Sequence, residues 1–204
     1  MNHCKNILPT PYRDMDDLKK TSDEITALFS DIEKDREKAI KNSREIIRLT
    51  KRVIHSMHLG VTDEECLDEL RKKVKELTVD PSLAHVTQDA LAEYAETEIL
   101  FSIVNDLPVP TFQELGISPQ SWTLGLADSL GEVRRLLLNR LIDSEVESAL
   151  LLFTKMEKIF DVLILFDVPD AIVPLRRKQD IARGIMDRTR TDITAAVLMK
   201  NKVS

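Results

Sequence analysis

From Asp14 to His58 the chain runs without a proline or a glycine, and that run limits what it can fold into. Its apolar residues Ile25, Leu28, Ile32, Ile40, Ile47, Ile54 and Met57 recur mostly three, four or seven positions apart, the spacing of one helix face. Gly60 ends the pattern. At roughly 1.5 Å per residue such a helix is more than about 60 Å long. A lone 23.3 kDa globule needs no element of that length. The expectation is therefore a helix that packs along partner helices or other subunits.

Shorter helical stretches follow. Thr62 with Glu65 reads as a capping box opening a second helix that continues to about Thr78. A third starts near Asp80–Pro81 and breaks at Asn105–Asp106, Pro108 and Pro110. Ser118–Pro119, a cap followed by proline in the first turn, opens a fourth. A fifth spans Ser144 to about Phe166, and the last begins between Asp170 and Pro174 and continues to near Lys200. Five glycines, 4% aromatic and 31% charged residues agree with helices rather than sheet. The reading is an all-α antiparallel helical bundle of six helices or one more. It forms a single domain over residues 1–204, with a flexible leader at residues 1–13 that contains Pro9 and Pro11.

Several function classes are disfavoured at once. Cys4 and Cys66 are too few for a disulfide framework or a zinc site, and both should stay reduced in a cytoplasm. His3–Cys4 reads as a frayed terminus. No signal-type apolar run opens the chain, and the longest apolar segments, near Leu150–Phe153 and Val162–Phe166, are too short for a bilayer. A soluble, cytoplasmic protein without membrane contact is expected. No P-loop, GxSxG, HExxH or CxxC motif appears, and no histidine sits in a nucleophile motif. A net charge of −6 argues against indiscriminate nucleic-acid binding but allows a local basic groove.

Two acid pairs carry the chemistry. Glu93 and Glu96 lie three apart in the third helix, Asp128 and Glu132 four apart in the fourth. Each pair shares a helix face. Carboxylates converging from two helices would make an oxygen-only cage suited to Mg²⁺ or Mn²⁺, and unsuited to zinc or redox metals. Ala92, Ile99 and Ile103 share a face with Glu96, and Leu100 and Val104 with Glu93, so both acids flank apolar stripes. Buried unpaired carboxylates are costly unless they hold a cation. Glu98 is a competitor that spacing does not exclude. In the fourth helix Leu126, Leu130, Val133, Leu137 and Leu141 form the core stripe, and Asp128 and Glu132 point elsewhere. Gly125 and Gly131 flank the acids there, as glycines do where another backbone or a ligand approaches closely. The plain alternative is solvated helix surface for Glu93 and Glu96, and tight helix–helix packing with exposed acids for Asp128 and Glu132.

A basic stripe complements them. Lys41, Arg44, Arg48, Lys51, His55 and His58 follow a 3-4-3-4-3 spacing along the first helix, with Arg52 beside it and acids nearly absent. Ordinary pairing along a helix would alternate signs; this stripe suits phosphates, although most charged runs are only solvated faces. A second cluster, Arg176, Arg177, Lys178, Arg183, Arg188 and Arg190, is interrupted by Asp180, Asp187 and Asp192, which favours ion pairs within or between subunits. A divalent cation beside a phosphate track points to phosphodiester hydrolysis.

In this order the motifs resemble the translin superfamily, and more closely its translin-associated factor X branch than translin itself. The resemblance rests on Lys41-x-Ser43-Arg44-x-Ile46, Thr50-Lys51-Arg52-x-Ile54 and His58, on Leu91-x-Glu93-Tyr94-x-Glu96, and on Leu124-Gly125-Leu126-Ala127-Asp128-x-x-Gly131-Glu132. Leu175-Arg176-x-x-x-Asp180 is similar to the start of the last translin helix. The likeness covers roughly residues 30 to 185, and the second acidic motif is its most specific part. It implies an all-α fold of about seven helices and hollow octamers that enclose RNA. It further implies metal-dependent endoribonuclease activity, with Glu93, Glu96, Asp128 and Glu132 as metal-binding and catalytic residues. Translin lacks counterparts of Glu93 and Asp128, so a chain with all four should be a self-sufficient subunit of a homo-oligomer. The connection at residues 104–118 is shorter than in factor X, so partner contacts made through that insertion do not carry over. RNA would lie along Lys41, Arg44, Arg48, Lys51 and Arg52. The alternatives are a non-catalytic RNA- or single-stranded-DNA-binding shell, and a helical scaffold that binds proteins.

Overall fold

The long run forms as one element, α1 (Met15–His58), 44 residues without interruption. The computed structural model describes residues 15–77 and 83–203, so the leader expected at 1–13, His3–Cys4 and the helix start expected at Asp80–Pro81 lie outside the described residues. Six further helices follow: α2 (Glu64–Lys75), α3 (Ala84–Val104), α4 (Phe112–Leu115), α5 (Pro119–Ile142), α6 (Val146–Leu163) and α7 (Arg176–Val203). No strand occurs among the described residues. The all-α expectation holds.

Contacts divide the chain into two units between Lys38 and Ala39. In the first, every described residue of α1 is exposed, including Leu18, Ile25, Leu28, Phe29 and Ile32. Lys34–Asp31 and Arg36–Glu33 are local, exposed i,i+3 ion pairs there that contribute little to stability.

In the second unit, the buried seam of α1 is Ala39, Ser43, Ile46, Leu49, Thr50, Val53 and Met57. Ile47 and Ile54, expected on the apolar face, lie at its margin. The seam can pass through Ser43 and Thr50 because their hydroxyls find backbone acceptors, Val86 O and Ile47 O.

Local chemistry sets the remaining boundaries. α2 is capped by Asp63 rather than Thr62: the Asp63 carboxylate accepts the Cys66 N–H at 3.0 Å, and its charge suits a helix N-terminus. Ser118 caps α5 as expected, with Pro119 in the first turn. The connection before it holds the short α4, closed by a reciprocal Thr111–Glu114 capping box and by Gly116 at φ +66°. Trp122 Nε1 donates to Pro110 O at 2.8 Å and pins that connection to α5. α6 starts at Val146 rather than Ser144, because Ser144 adopts φ +62° and its N–H closes the last turn of α5 onto Leu141 O. α7 starts at Arg176, just past Pro174.

α5 is the middle of the bundle, packed against α3, α6 and α7. Leu126, Leu130, Val133 and Leu137 of α5 meet Ala95, Ile99 and Leu100 of α3 in one core. At Gly125 an added Cβ would lie 2.5 Å from Ala92 O and 2.8 Å from Glu96 N. That close approach, together with Ser121 Oγ donating to Gln88 O, brings the acid-bearing stretches of α3 and α5 side by side. Around Gly131 the same added atom meets nothing within 4 Å, so the close approach expected there is absent. No described helix is long and apolar enough to cross a membrane.

Candidate functional site

The two acid pairs open into one cleft of about 540 Å³, lined by Glu93 and Glu96 from α3, Asp128, Glu132 and Arg135 from α5, and Lys51, Ile54 and His55 from α1. The register of α3 against α5 at Gly125 creates it: the same contact that touches Glu96 N sets Asp128 one turn further along α5. Glu98 is removed from the competition. Its side chain is 5% exposed and accepts from Arg71 Nε and Nη2 at 2.7 and 2.8 Å, a bidentate pair beneath Phe101 that holds α2 to α3.

Each carboxylate in the cleft has a different balance. Burial raises the proton affinity of Glu93, opposed first by Lys51. Burial raises that of Glu96 to about 8, with Asp128, Glu93 and Glu132 adding like charge. Glu132 is shifted the other way, below its ordinary value, by the hydrogen bond that His58 Nε2 donates to it. Asp128 accepts from Lys178 Nζ at 2.5 Å to both oxygens. Glu93 and Glu96 accept no side-chain hydrogen bond from any described residue. Four carboxylates face Lys51, Arg135 and Lys178, one more acid than these cations, and burial first, then like charge, lets Glu96 keep its proton near neutral pH.

That surplus, and the oxygen-only donor set, fit a hard divalent cation. The side chains are not gathered around a cation position as they stand, for no group of three or more His, Cys, Asp or Glu among the described residues is disposed to hold a metal. Lys178 and His58 draw Asp128 and Glu132 toward themselves, so loading would require both pairs to loosen.

The basic stripe divides. Lys41, Arg44, Arg48, Lys51 and His55 are exposed. Arg44, Arg48 and Lys41 form no ion pair with any described residue. Lys51 and His55 reach the cleft itself. Arg52 turns toward Asp63, 3.4 Å away. His58, expected in the stripe, has a side chain only 3% exposed that belongs to the carboxylates through Glu132; its buried Nδ1 has no hydrogen-bond partner among the described residues.

Two members of the site escape a reading of the sequence. Arg135 lies 3.9 Å from Glu132, three residues on along α5, and its i,i+3 spacing was a usable signal. Lys178 arrives from α7, fifty residues beyond Asp128, inside a cluster in which Arg183 and Arg190 pair on the surface. No local spacing announces it.

No family model matches the chain. An uncharacterized protein of Methanocaldococcus jannaschii is 33% identical over 169 residues, covering 79% of this chain and 76% of the relative. Among solved structures, the C3PO of Archaeoglobus superposes with a TM-score of 0.79 at 32% identity, across 88% of this chain and 98% of that one. The same protein in complex with duplex RNA gives 0.77 at 30% identity, across 88% and 97%. Apo C3PO of Neurospora, at 22% identity and a TM-score of 0.73, shares the fold.

Proposed function

Because the chain belongs to the translin superfamily, we propose that it is a Mg²⁺- or Mn²⁺-dependent endoribonuclease that binds RNA inside a homo-oligomeric shell. The observation that carries this reading is the single cleft shared by Glu93, Glu96, Asp128 and Glu132, with Lys51, His55 and Arg135 at its edge. RNA as the ligand class is supported by the duplex-RNA complex of the Archaeoglobus relative. The full set of four acids supports the factor X branch, and an octamer is the assembly that the family likeness implies.

Residues of this chain would divide the work. Glu93, Glu96, Asp128 and Glu132 would hold the cation. When bound, a divalent cation there supplies Lewis acidity toward a water nucleophile and offsets charge on phosphate and leaving oxygen. Lys41, Arg44, Arg48, Lys51 and Arg52 would receive the RNA backbone, Arg52 after leaving Asp63. Lys51 is the joint between the two sets, since it lines the cleft and continues the stripe. His58 orients Glu132 through its hydrogen bond, and whichever of the four carboxylates the cation leaves free would accept the proton.

Labelled RNA incubated with the protein, with and without Mn²⁺ or EDTA, tests the reading. Metal-dependent shortening is expected from the native protein. Asp128→Ala should lose it while keeping helical circular dichroism and RNA binding; full cleavage by that variant would sink the mechanism. A non-catalytic RNA- or single-stranded-DNA-binding shell is the second reading, favoured by the closed Lys178–Asp128 pair. It is the answer if RNA is bound in steeply salt-dependent fashion and never shortened.

A further inference from the structure

Lys178 is set apart from its neighbours by where it is held. Arg176 and Arg177 are exposed at the start of α7, whereas the Lys178 side chain is 31% exposed and crosses to α5. Its Nζ lies 2.5 Å from both oxygens of Asp128. The backbone beneath it is fixed. Gln179, 7% exposed, donates its amide to Leu163 O and Phe166 O at 2.9 Å each, carbonyls at and just past the end of α6. Leu175 and Ala182, each 1% exposed, seat the same turn in the core. A merely solvated lysine would need no such seat.

Its charge also reaches beyond Asp128. Lys178 favours the ionised forms of both Glu93 and Glu96. The ammonium thus meets Asp128 directly, where a cation in the cleft would sit against that carboxylate. Lysine suits this better than arginine: its ammonium is a compact point charge on a flexible stem, able to leave one partner without a planar fork to rearrange.

We propose that Lys178 is the cleft's built-in counter-cation, so that loading a divalent ion is an exchange in which Asp128 is handed from the ammonium to the metal. The proposal rests on the metal-binding reading of the cleft. It makes the protein a weaker metal binder than its four acids alone would be, and it gives the metal-free cleft a defined closed form.

Mn²⁺ titration of the full-length, RNA-free protein, followed by the electron paramagnetic resonance of free Mn²⁺, separates the possibilities. Lys178→Met should bind Mn²⁺ about tenfold more tightly than the native chain, the scale on which one adjacent charge shifts a carboxylate. Lys178→Arg, which keeps the charge and presents a planar fork to both oxygens of Asp128, should bind Mn²⁺ no more tightly than the native chain. Matching thermal melts would establish that the variants are folded. Unchanged or weaker Mn²⁺ binding in folded Lys178→Met overturns the exchange while leaving the metal site standing. If the native protein shows no Mn²⁺ binding that Asp128→Ala removes, the metal reading fails and the exchange with it.

Discussion

Glu96 is the residue whose surroundings ask most of it. In the unfolded chain its carboxyl ionises near the ordinary 4.5, and in the cleft near about 8. Below the first value both states keep the proton and nothing is lost. Between the two values only the unfolded chain releases it, so stability declines as pH rises and levels off above the second. Glu96→Gln should therefore raise the melting temperature by several degrees at pH 8 and leave it nearly unchanged at pH 4.5, as scanning calorimetry would read. A different kind of residue lies just outside. Arg48 is exposed and unpaired among the described residues, and Lys51 is exposed at the cleft edge. Charge reversal at both should weaken binding to unrelated RNA sequences alike and flatten the salt dependence in filter-binding assays, because phosphates rather than base edges would be lost.

Between helices, the two glycines of α5 make opposite forecasts. Gly125→Ala drives a methyl into Ala92 O and Glu96 N and should cost about 1–3 kcal/mol while prising α3 from α5. Gly131→Ala meets open space and should stabilise the helix by roughly 0.5–1 kcal/mol. Urea denaturation of the pair measures both. Spacing alone suggested a close approach at both positions and could not tell them apart, since that depends on which face meets α3. The same limit explains what else was legible. The acid pairs could be read because both members of each pair lie on one turn, and six of the seven helices because their period and breaks are local. The seam of α1 could not be placed between Ile46 and Ile47, both apolar. The Thr111-x-x-Glu114 cap was in plain sight and marks α4. Lys178 and His58 were unreadable as partners of Asp128 and Glu132, because long-range packing alone pairs them.

For the molecule as a whole, exposed apolar side chains are the outstanding fact. Leu151 and Leu165 in and after α6 are 68% and 79% exposed, and Leu28 and Phe29 of α1 are 62% and 66% exposed. Patches of this kind mark subunit contacts. Light scattering should therefore find a closed homo-oligomer, an octamer on the proposed reading; a stable monomer or dimer at micromolar concentration with activity retained would refute an enclosed chamber. The stretch of α1 before Ala39 buries no described residue of its own, and a helix without a packed face is marginal in water. On the proposed reading, in which other copies cover that stretch, the coil–helix balance of the first unit would follow the number of copies in solution, and dilution would act as its denaturant.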